Sequence, residues 1–272
     1  MIRLSERLKI IEEEIHKGET MADIGTDHGY LPLVLFKKGI CSKVIMADVS
    51  RGSLKKAREN AVDALKGDID LVDVDFRLGN GLEVLEPGEV DVVVIAGMGG
   101  LLMAEIIGAD MDKSSTFKRF ILQPRNGQGK LRYWLKENGF EITAEHLAKE
   151  GRFICEILVA RPTEDRPIAE NEDPSRQMWQ PWSEDTAIEY EVPESLLSCP
   201  EEELIIPFLK NRLNIEKTIL KDLAASRDPA LAKTGITEKR IAYLEQILAK
   251  AQKHAKAKEP VKEKPKSKDK AE

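Results

Sequence analysis

Thr20-Met-Ala-Asp-Ile-Gly-Thr-Asp-His-Gly-Tyr-Leu-Pro32 is the stretch whose reading decides the fold. Met21, Ala22 and Ile24 read as a short apolar strand, Gly25 and Gly29 as a turn, and a helical pattern opens at Tyr30. Strand, glycine turn and helix begin a nucleotide-binding α/β unit. Glycines let the backbone approach a ligand where a Cβ would clash, and a helix start offers open N–H groups and a positive dipole end. Asp23 and Asp27 set this loop apart. They repel a pyrophosphate, and the spacing is not the G-x-G-x-x-G of dinucleotide binders, which disfavours a dinucleotide oxidoreductase. An Asp-x-Gly-x-Asp loop better suits a cofactor with an ammonium, a sulfonium and a free ribose. S-adenosylmethionine (SAM) has all three.

Outward from the loop, the chain alternates. Residues 2–15 carry Leu4, Leu8, Ile11 and Ile15 on one helical stripe, with Ser5 as a candidate cap. Helices are expected at Tyr30–Lys38, Ser50–Leu65, Leu101–Ile107 and Lys130–Asn138. Strands are expected at Lys43–Asp48, Asp73–Leu78, Val90–Ala96 and Arg119–Gln123, each closing on an acid, a glycine cluster or a polar cluster. Phe140–Ala148 and Arg152–Ala160 read as a hairpin turning at Glu150-Gly151. Five β-α alternations and a closing hairpin imply a parallel sheet with helices on both faces and one antiparallel strand. That is the layout of class I SAM-methyltransferases, an α/β Rossmann-like sheet occupying residues 1–161.

Residues 162–203 lack periodicity and read as an acidic linker, with Trp179, Trp182 and Tyr190 as a possible lid. Residues 204–255 read as an α-helical hairpin, a short coiled coil. Ile206, Leu213 and Leu220 are seven apart, Glu216 interrupts their stripe, and Ile241, Leu244, Leu248 and Ala251 form a second stripe after Ser226-Arg-Asp-Pro229. Residues 256–272 read as a disordered Lys-rich tail.

The net charge of −6 argues against nucleic acid until it is divided along the chain. Residues 1–161 carry −3, residues 162–206 carry −11, and residues 207–272 carry +8. The acidic segment masks a basic C-terminal region. No stretch approaches the ~18 apolar residues of a membrane span, and the charged N-terminus is no signal peptide. Cys41, Cys155 and Cys199 are odd in number and widely spaced. That argues for a reducing, cytoplasmic setting without a disulfide frame or a zinc site, and no metal is expected. Cys41 and Cys155 read as core residues.

In open parallel sheets the ligand sits at the carboxyl ends of the strands. Asp23–Gly29, Asp48, Gly79–Gly81, Ala96–Gly100 and Gln123–Arg125 all fall there. Asp48 follows the glycine loop by about 20 residues, the distance at which a carboxylate takes both ribose hydroxyls; as a helix cap it would serve structure alone. Asn80 suits the adenine edge or a Gly-Asn-Gly turn. Asp23 or Asp27 suits the methionine ammonium. His28 is a catalytic candidate or an ordinary exposed loop histidine. Arg125 pairs with a phosphate or with a carboxylate of the fold.

Four motifs in order, Ala22-Asp-Ile-Gly-Thr-Asp-His-Gly-Tyr-Leu-Pro32, Arg77-Leu-Gly-Asn-Gly-Leu82, Ala96-Gly-Met-Gly-Gly100 and Leu122-Gln-Pro-Arg125, resemble the bacterial tRNA (adenine-22-N1)-methyltransferases, the TrmK-like proteins. The resemblance covers roughly residues 1–160 and extends to the helical hairpin. It implies methyl transfer from SAM to N1 of adenine 22 in tRNA. Carried over residue by residue, it makes Asp23, Gly25, Asp27 and Gly29 the cofactor loop, Asp48 the ribose acid, and Asn80 and Gly81 the adenine side. Gly97, Met98 and Gly99 would line the reaction centre. The chain departs from the family in its longer acidic segment and in Leu204-Ile-Ile-Pro-Phe208, where a Gly-Pro is expected.

Ala96-Gly-Met-Gly-Gly100 lacks the amide and aromatic of the Asn/Asp-Pro-Pro-aromatic motif that grips an exocyclic amine. Ring N1 already carries an in-plane lone pair, so no obligatory general base is expected. Asp27 and His28 are the candidates for assistance, and Met98 for lining the centre. Lys210, Arg212, Lys217, Lys221, Lys239 and Arg240 would hold phosphates or simply solvate a coiled-coil face. The alternatives are a SAM-dependent methyltransferase for another RNA or a small molecule, and a non-catalytic SAM- or tRNA-binding module.

Overall fold

The computed structural model describes residues 2–66, 73–164, 187–225 and 231–258. Trp179, Trp182, the break at 226–230 and the tail beyond Lys258 lie outside the described residues.

The alternation expected from the sequence is present. Helix α1 (Glu6–Glu13) is followed by β1 (Met21–Ile24), α2 (Tyr30–Lys37), β2 (Val44–Asp48), α3 (Arg51–Leu65) and β3 (Val74–Leu78). Then come β4 (Val92–Gly99), α4 (Gly100–Gly108), the short α5 (Met111–Ser114), β5 (Arg119–Asn126), α6 (Gln128–Glu137), β6 (Phe140–Glu150) and β7 (Phe153–Pro162). Ser5 and Ser50 cap α1 and α3, their hydroxyls accepting from the N–H groups of Leu8 and Ser53.

The strands form one seven-stranded sheet in the order β3-β2-β1-β4-β5-β7-β6. The first five are parallel, and β7 runs antiparallel between β5 and β6. This is the class I methyltransferase sheet. It is buried on both faces, which is why its strands read as continuous apolar runs. Along β4, Val93 and Ile95 join one core with Met103 and Ile107 of α4 and Trp134 of α6. Val92 and Val94 join the other, with Ile11 of α1, Leu33 and Leu35 of α2, and Ala57 of α3. Full burial of such a side chain contributes about 1.5–3 kcal/mol. Cys41 belongs to the second core and Cys155 packs on it; burial pushes their thiols up to about 12 and about 11.

Three boundaries correct the sequence reading. β4 does not end at Ala96 but continues through Gly97-Met98-Gly99, with a register shift against β5 that absorbs Gly97. β5 likewise runs on through Pro124 to Asn126. The segment expected as an acidic linker is ordered from Ala187: α7 (Ala187–Glu191) and a 3₁₀ turn at Glu194–Ser198 pack on the sheet domain. Tyr190 meets Tyr133 of α6 edge-on at 5.2 Å.

Buried charge fixes that strap. Arg132 of α6 pairs with Glu145 and Glu156 at 2.6 Å each, and its Nη1 donates to the Tyr190 carbonyl at 3.1 Å. Ser195 donates to Glu145. His146 lies between Glu14 and Glu201, 3.0 Å from each, and Glu201 also accepts from the Leu147 N–H. Burial opposes the His146 charge, but the two carboxylates outweigh it and push its pKa up to about 9.

The second unit begins at Ile206 and holds most of α8 (Glu202–Ala225) and all of α9 (Leu231–Lys258). Glu216, which interrupts the heptad stripe, is answered across the hairpin by Arg240 at 2.9 and 2.7 Å. Lys217 pairs with Glu245 at 2.8 Å. Arg240, read from the sequence as either a phosphate contact or part of a solvated face, is committed to an internal pair that sets helix register.

Candidate functional site

The strand order reverses between β1 and β4, since the chain first builds β2 and β3 on one side of β1 and then returns to the other. Such a switch point opens a crevice at the carboxyl ends of its two strands. Here those ends are the Gly25–Gly29 loop and the bulged Gly97–Gly99 end of β4, and they touch. A Cβ at Gly25 would lie 2.0 Å from Met98 Cε, and Gly25 has φ +81. Met98 could swing its terminal methyl aside, but the left-handed backbone at Gly25 still disfavours any side chain. At the next strand exit, a Cβ on Gly100 would lie 2.6 Å from the carbonyl oxygen of Gly127, so the starts of α4 and α6 are pressed backbone to backbone. Helices α2, α4 and α6 start on Gly29, Gly99 and Gly127, none of which supplies a side-chain cap. Their first N–H groups are left for other acceptors.

Asp23 and Thr26 lie at the β1 exit. Burial pushes the Asp23 carboxyl up to about 6; the nearby Thr26 hydroxyl and the Arg7 charge draw it down, and Asp48 on the neighbouring strand draws it up. Thr26 is buried, and its hydroxyl, though near enough to Asp23 to favour the carboxylate, is outside strict hydrogen-bond geometry with every group among the described residues. Asp48 Oδ1 accepts from the Ser50 N–H at 2.7 Å, so one oxygen serves the entry to α3, while Oδ2 meets no partner among the described residues. Asn80 is exposed and its amide caps nothing in the turn that follows. The turn therefore does not account for the amide. Gly81, beside it, has φ +54.

Asp27 and His28 sit on the rim. Asp27 is mostly exposed, with Oδ2 3.2 Å from His28 Nε2 and Oδ1 3.6 Å from Lys56 of α3. The His28 ring stacks on Tyr30 at 5.1 Å. Arg125 is exposed and makes no ion pair among the described residues, so no carboxylate of the fold claims it.

Arg7 carried no sequence signal, yet it ties the site together. Its Nη1 donates to Gln123 Oε1 at 2.9 Å, and that oxygen also accepts from the Gly97 N–H at 3.1 Å. Its Nε donates to Glu150 at 2.9 Å. Helix α1, the β4 bulge and the hairpin tip are thus joined through one guanidinium, with Gln123 buried between them. Several large apolar side chains, Tyr30, Val49, Leu78, Leu101, Leu102 and Phe153, are exposed along this same edge. Two grooves, of about 1280 and 880 Å3, lie elsewhere, between α1, α2 and α3 and between β6 and residues 189–200. Only Tyr30 of the strand-exit residues lines either one. Among the described residues, no group of three His, Cys, Asp or Glu is placed to hold a metal ion.

Residues 4–158 match the family model described as Methyltransferase domain. The tRNA (adenine(22)-N(1))-methyltransferase of Bacillus subtilis is 37% identical over 160 residues, covering 58% of this chain and 65% of that protein. The chain thus spans just under two thirds of that relative's length. Among solved structures, the B. subtilis m1A22 tRNA methyltransferase TrmK superposes with a TM-score of 0.73 at 27% identity, covering 91% of this chain and all of that one. The Streptococcus pneumoniae protein Sp1610, solved in complex with S-adenosyl-L-methionine, gives 0.70 at 26% identity, with 90% of this chain and all of that one covered. An acidic glycine loop at the switch point of this sheet and a family match over more than half the chain lead to one assignment: the protein belongs to the methyltransferase domain family.

Proposed function

We propose that the protein is a SAM-dependent methyltransferase that methylates N1 of adenine 22 in tRNA. The observation that carries the reading is the switch-point crevice, where two carboxylates, a buried unpartnered hydroxyl and a side-chain-free glycine cradle converge. Such a donor set fits a cationic nucleoside and repels a pyrophosphate. The activity of the B. subtilis tRNA (adenine(22)-N(1))-methyltransferase, and the SAM bound to the S. pneumoniae protein, point the same way.

In this reading Asp48 takes the ribose hydroxyls with the oxygen that Ser50 leaves open, and Asn80 with Gly81 lies along the adenine. Asp23 faces the ammonium, and a cation there restores it to the ionised form. Gly25 and Gly29 keep the floor clear. Bound at this edge, SAM supplies a sulfonium methyl, an electrophile that a ring nitrogen attacks without first losing a proton. The protein's main task is then positioning. Arg7 and Gln123 hold the Gly97–Met98 bulge in one place, and Asp27 and His28 remain available at the rim to take up charge on the product base. N1 lies on the Watson–Crick edge, so the target adenine must leave its stack. On the hairpin, Lys210 and Lys221 are exposed and make no ion pair among the described residues, which suits them to phosphate contacts. No described helix is long and apolar enough to cross a membrane. Work on tRNA would place the protein in the cytoplasm.

The test is methyl transfer from labelled SAM to total tRNA lacking this modification, with the product nucleoside and its position mapped. N1-methyladenosine at position 22 is the expected product. SAM binding without transfer to that tRNA would overturn the substrate while keeping the cofactor.

A further inference from the structure

The β6–β7 hairpin turns at the carboxyl edge of the sheet, beside the exit of β5. Because β7 is antiparallel to β5, with Phe120 opposite Ala160 and Leu122 opposite Leu158, Phe153 and Arg125 reach this edge together. Alternation also puts them on one face. Ile121 and Ile157 share a core with Cys155 packed beside them, so Gln123, Arg125 and Phe153 continue that face outward.

At the tip the ring has no packing role. Phe153 is 63% exposed on an ordered strand, and the Arg152 guanidinium lies over it at 4.9 Å. Arg125 is exposed and makes no ion pair among the described residues, while Lys149, opposite Ile154, alternates onto the other face of the hairpin. Glu150, the acid of the turn, is neutralised by Arg7 at 2.9 Å. The tip therefore presents an aromatic ring flanked by the Arg152 guanidinium, on the same face as Arg125 and next to the crevice.

We propose that this hairpin tip, with Arg125, is an RNA-contact surface in which Phe153 stacks on an unpaired base and Arg152 and Arg125 hold the adjoining phosphates. The proposal rests on the reading of RNA as the substrate and adds where the bases beside the target are held. Drawing an adenine out of its stack leaves neighbouring bases without a partner. An aromatic ring accepts any of them, because every base has a π-face, and arginine serves both stacking and phosphate. A protein-binding patch would surround Phe153 with apolar side chains; here a guanidinium lies over the ring, and the residue directly across the hairpin is Glu150, whose charge Arg7 answers.

The test uses the full chain saturated with S-adenosylhomocysteine, so that binding is read without turnover. Filter binding is measured with an unmodified tRNA transcript and with a single-stranded oligoribonucleotide. Phe153→Ala is expected to weaken both about tenfold, Arg152→Ala severalfold, and Phe153→Tyr less than twofold, with S-adenosylhomocysteine affinity and melting temperature unchanged. Wild-type affinity for both RNAs in Phe153→Ala overturns the proposal, and a Phe153→Tyr loss equal to that of alanine overturns the stacking role. Phe153-dependent binding of the oligoribonucleotide by a wild type that does not methylate tRNA would uphold the surface and overturn the tRNA reading. Binding of neither RNA by the wild type would overturn both.

Discussion

The carboxyl edge of the sheet and its β6 flank are both rich in charge, and they differ in where that charge is spent. On the flank, Arg132, Glu145, Glu156, Glu14, His146 and Glu201 all close on one another or on the backbone. On the edge, Asp48 keeps one oxygen open, Thr26 keeps its hydroxyl, and Arg125 and Asn80 face water. Buried polar groups cost free energy unless paired. A flank that pairs all of them is holding a strap, and an edge that leaves them open is suited to a ligand. Perturbed titration does not separate the two regions, since Asp23 and His146 are both shifted. Satisfaction of hydrogen bonds does.

The flank offers the hardest test of this contrast. Arg132→Met strands two buried carboxylates, and unfolding stability should fall by about 3–5 kcal/mol in denaturant titration. A change below ~1 kcal/mol would mean that water already reaches Glu145 and Glu156.

Next in size is a pH effect on the same strap. His146 moves from an ordinary 6.5 up to about 9, so the stability it contributes is fully present below about pH 6.5 and lost as pH rises through about 9. Glu14 and Glu201 are held below their ordinary range, so their share is present above about pH 4.5 and lost as pH falls below it. Melting curves should show an alkaline loss of order 2 kcal/mol that His146→Gln abolishes. An identical alkaline slope in the variant would detach His146 from the strap.

The edge gives the smallest effect and the most specific one. Asp23 titrates near 6, so its carboxylate is present above that pH and protonates below it. For folding, a raised carboxyl lends stability below 3.8 that is lost as pH climbs through about 6; for holding a cation the sign is reversed. SAM affinity by calorimetry should drop about tenfold from pH 7 to pH 5, and Asp23→Asn should show the weaker affinity at both. A pH-independent affinity in the wild type would remove Asp23 from the cofactor site.

Much of the edge was legible because glycines and acids punctuate apolar runs, as at Ile24-Gly25 and Ala47-Asp48. Strand extension past Ala96 was not, since Gly97 reads as a breaker until the neighbouring strand shows it as a bulge. Arg7 was invisible for another reason: its partners Gln123 and Glu150 are more than a hundred residues away. The strap at 187–200 looked solvated because its composition is acidic, and the cations that answer it, Arg132 and His146, lie on other elements. Glu216 read as a flaw in the hairpin stripe until Arg240 was seen opposite it.

The contact between Gly100 and Gly127 limits how this sequence can change over generations. At Gly79 a new side chain would strike only Val84 Cγ1, at 2.3 Å, and a smaller residue at position 84 would make room. At Gly100 the obstacle is the carbonyl oxygen of residue 127, which every amino acid carries. No second substitution there can compensate the first. A lineage that lost this glycine would have only reversion as a repair, whereas one that lost Gly79 would have a route forward through its neighbour.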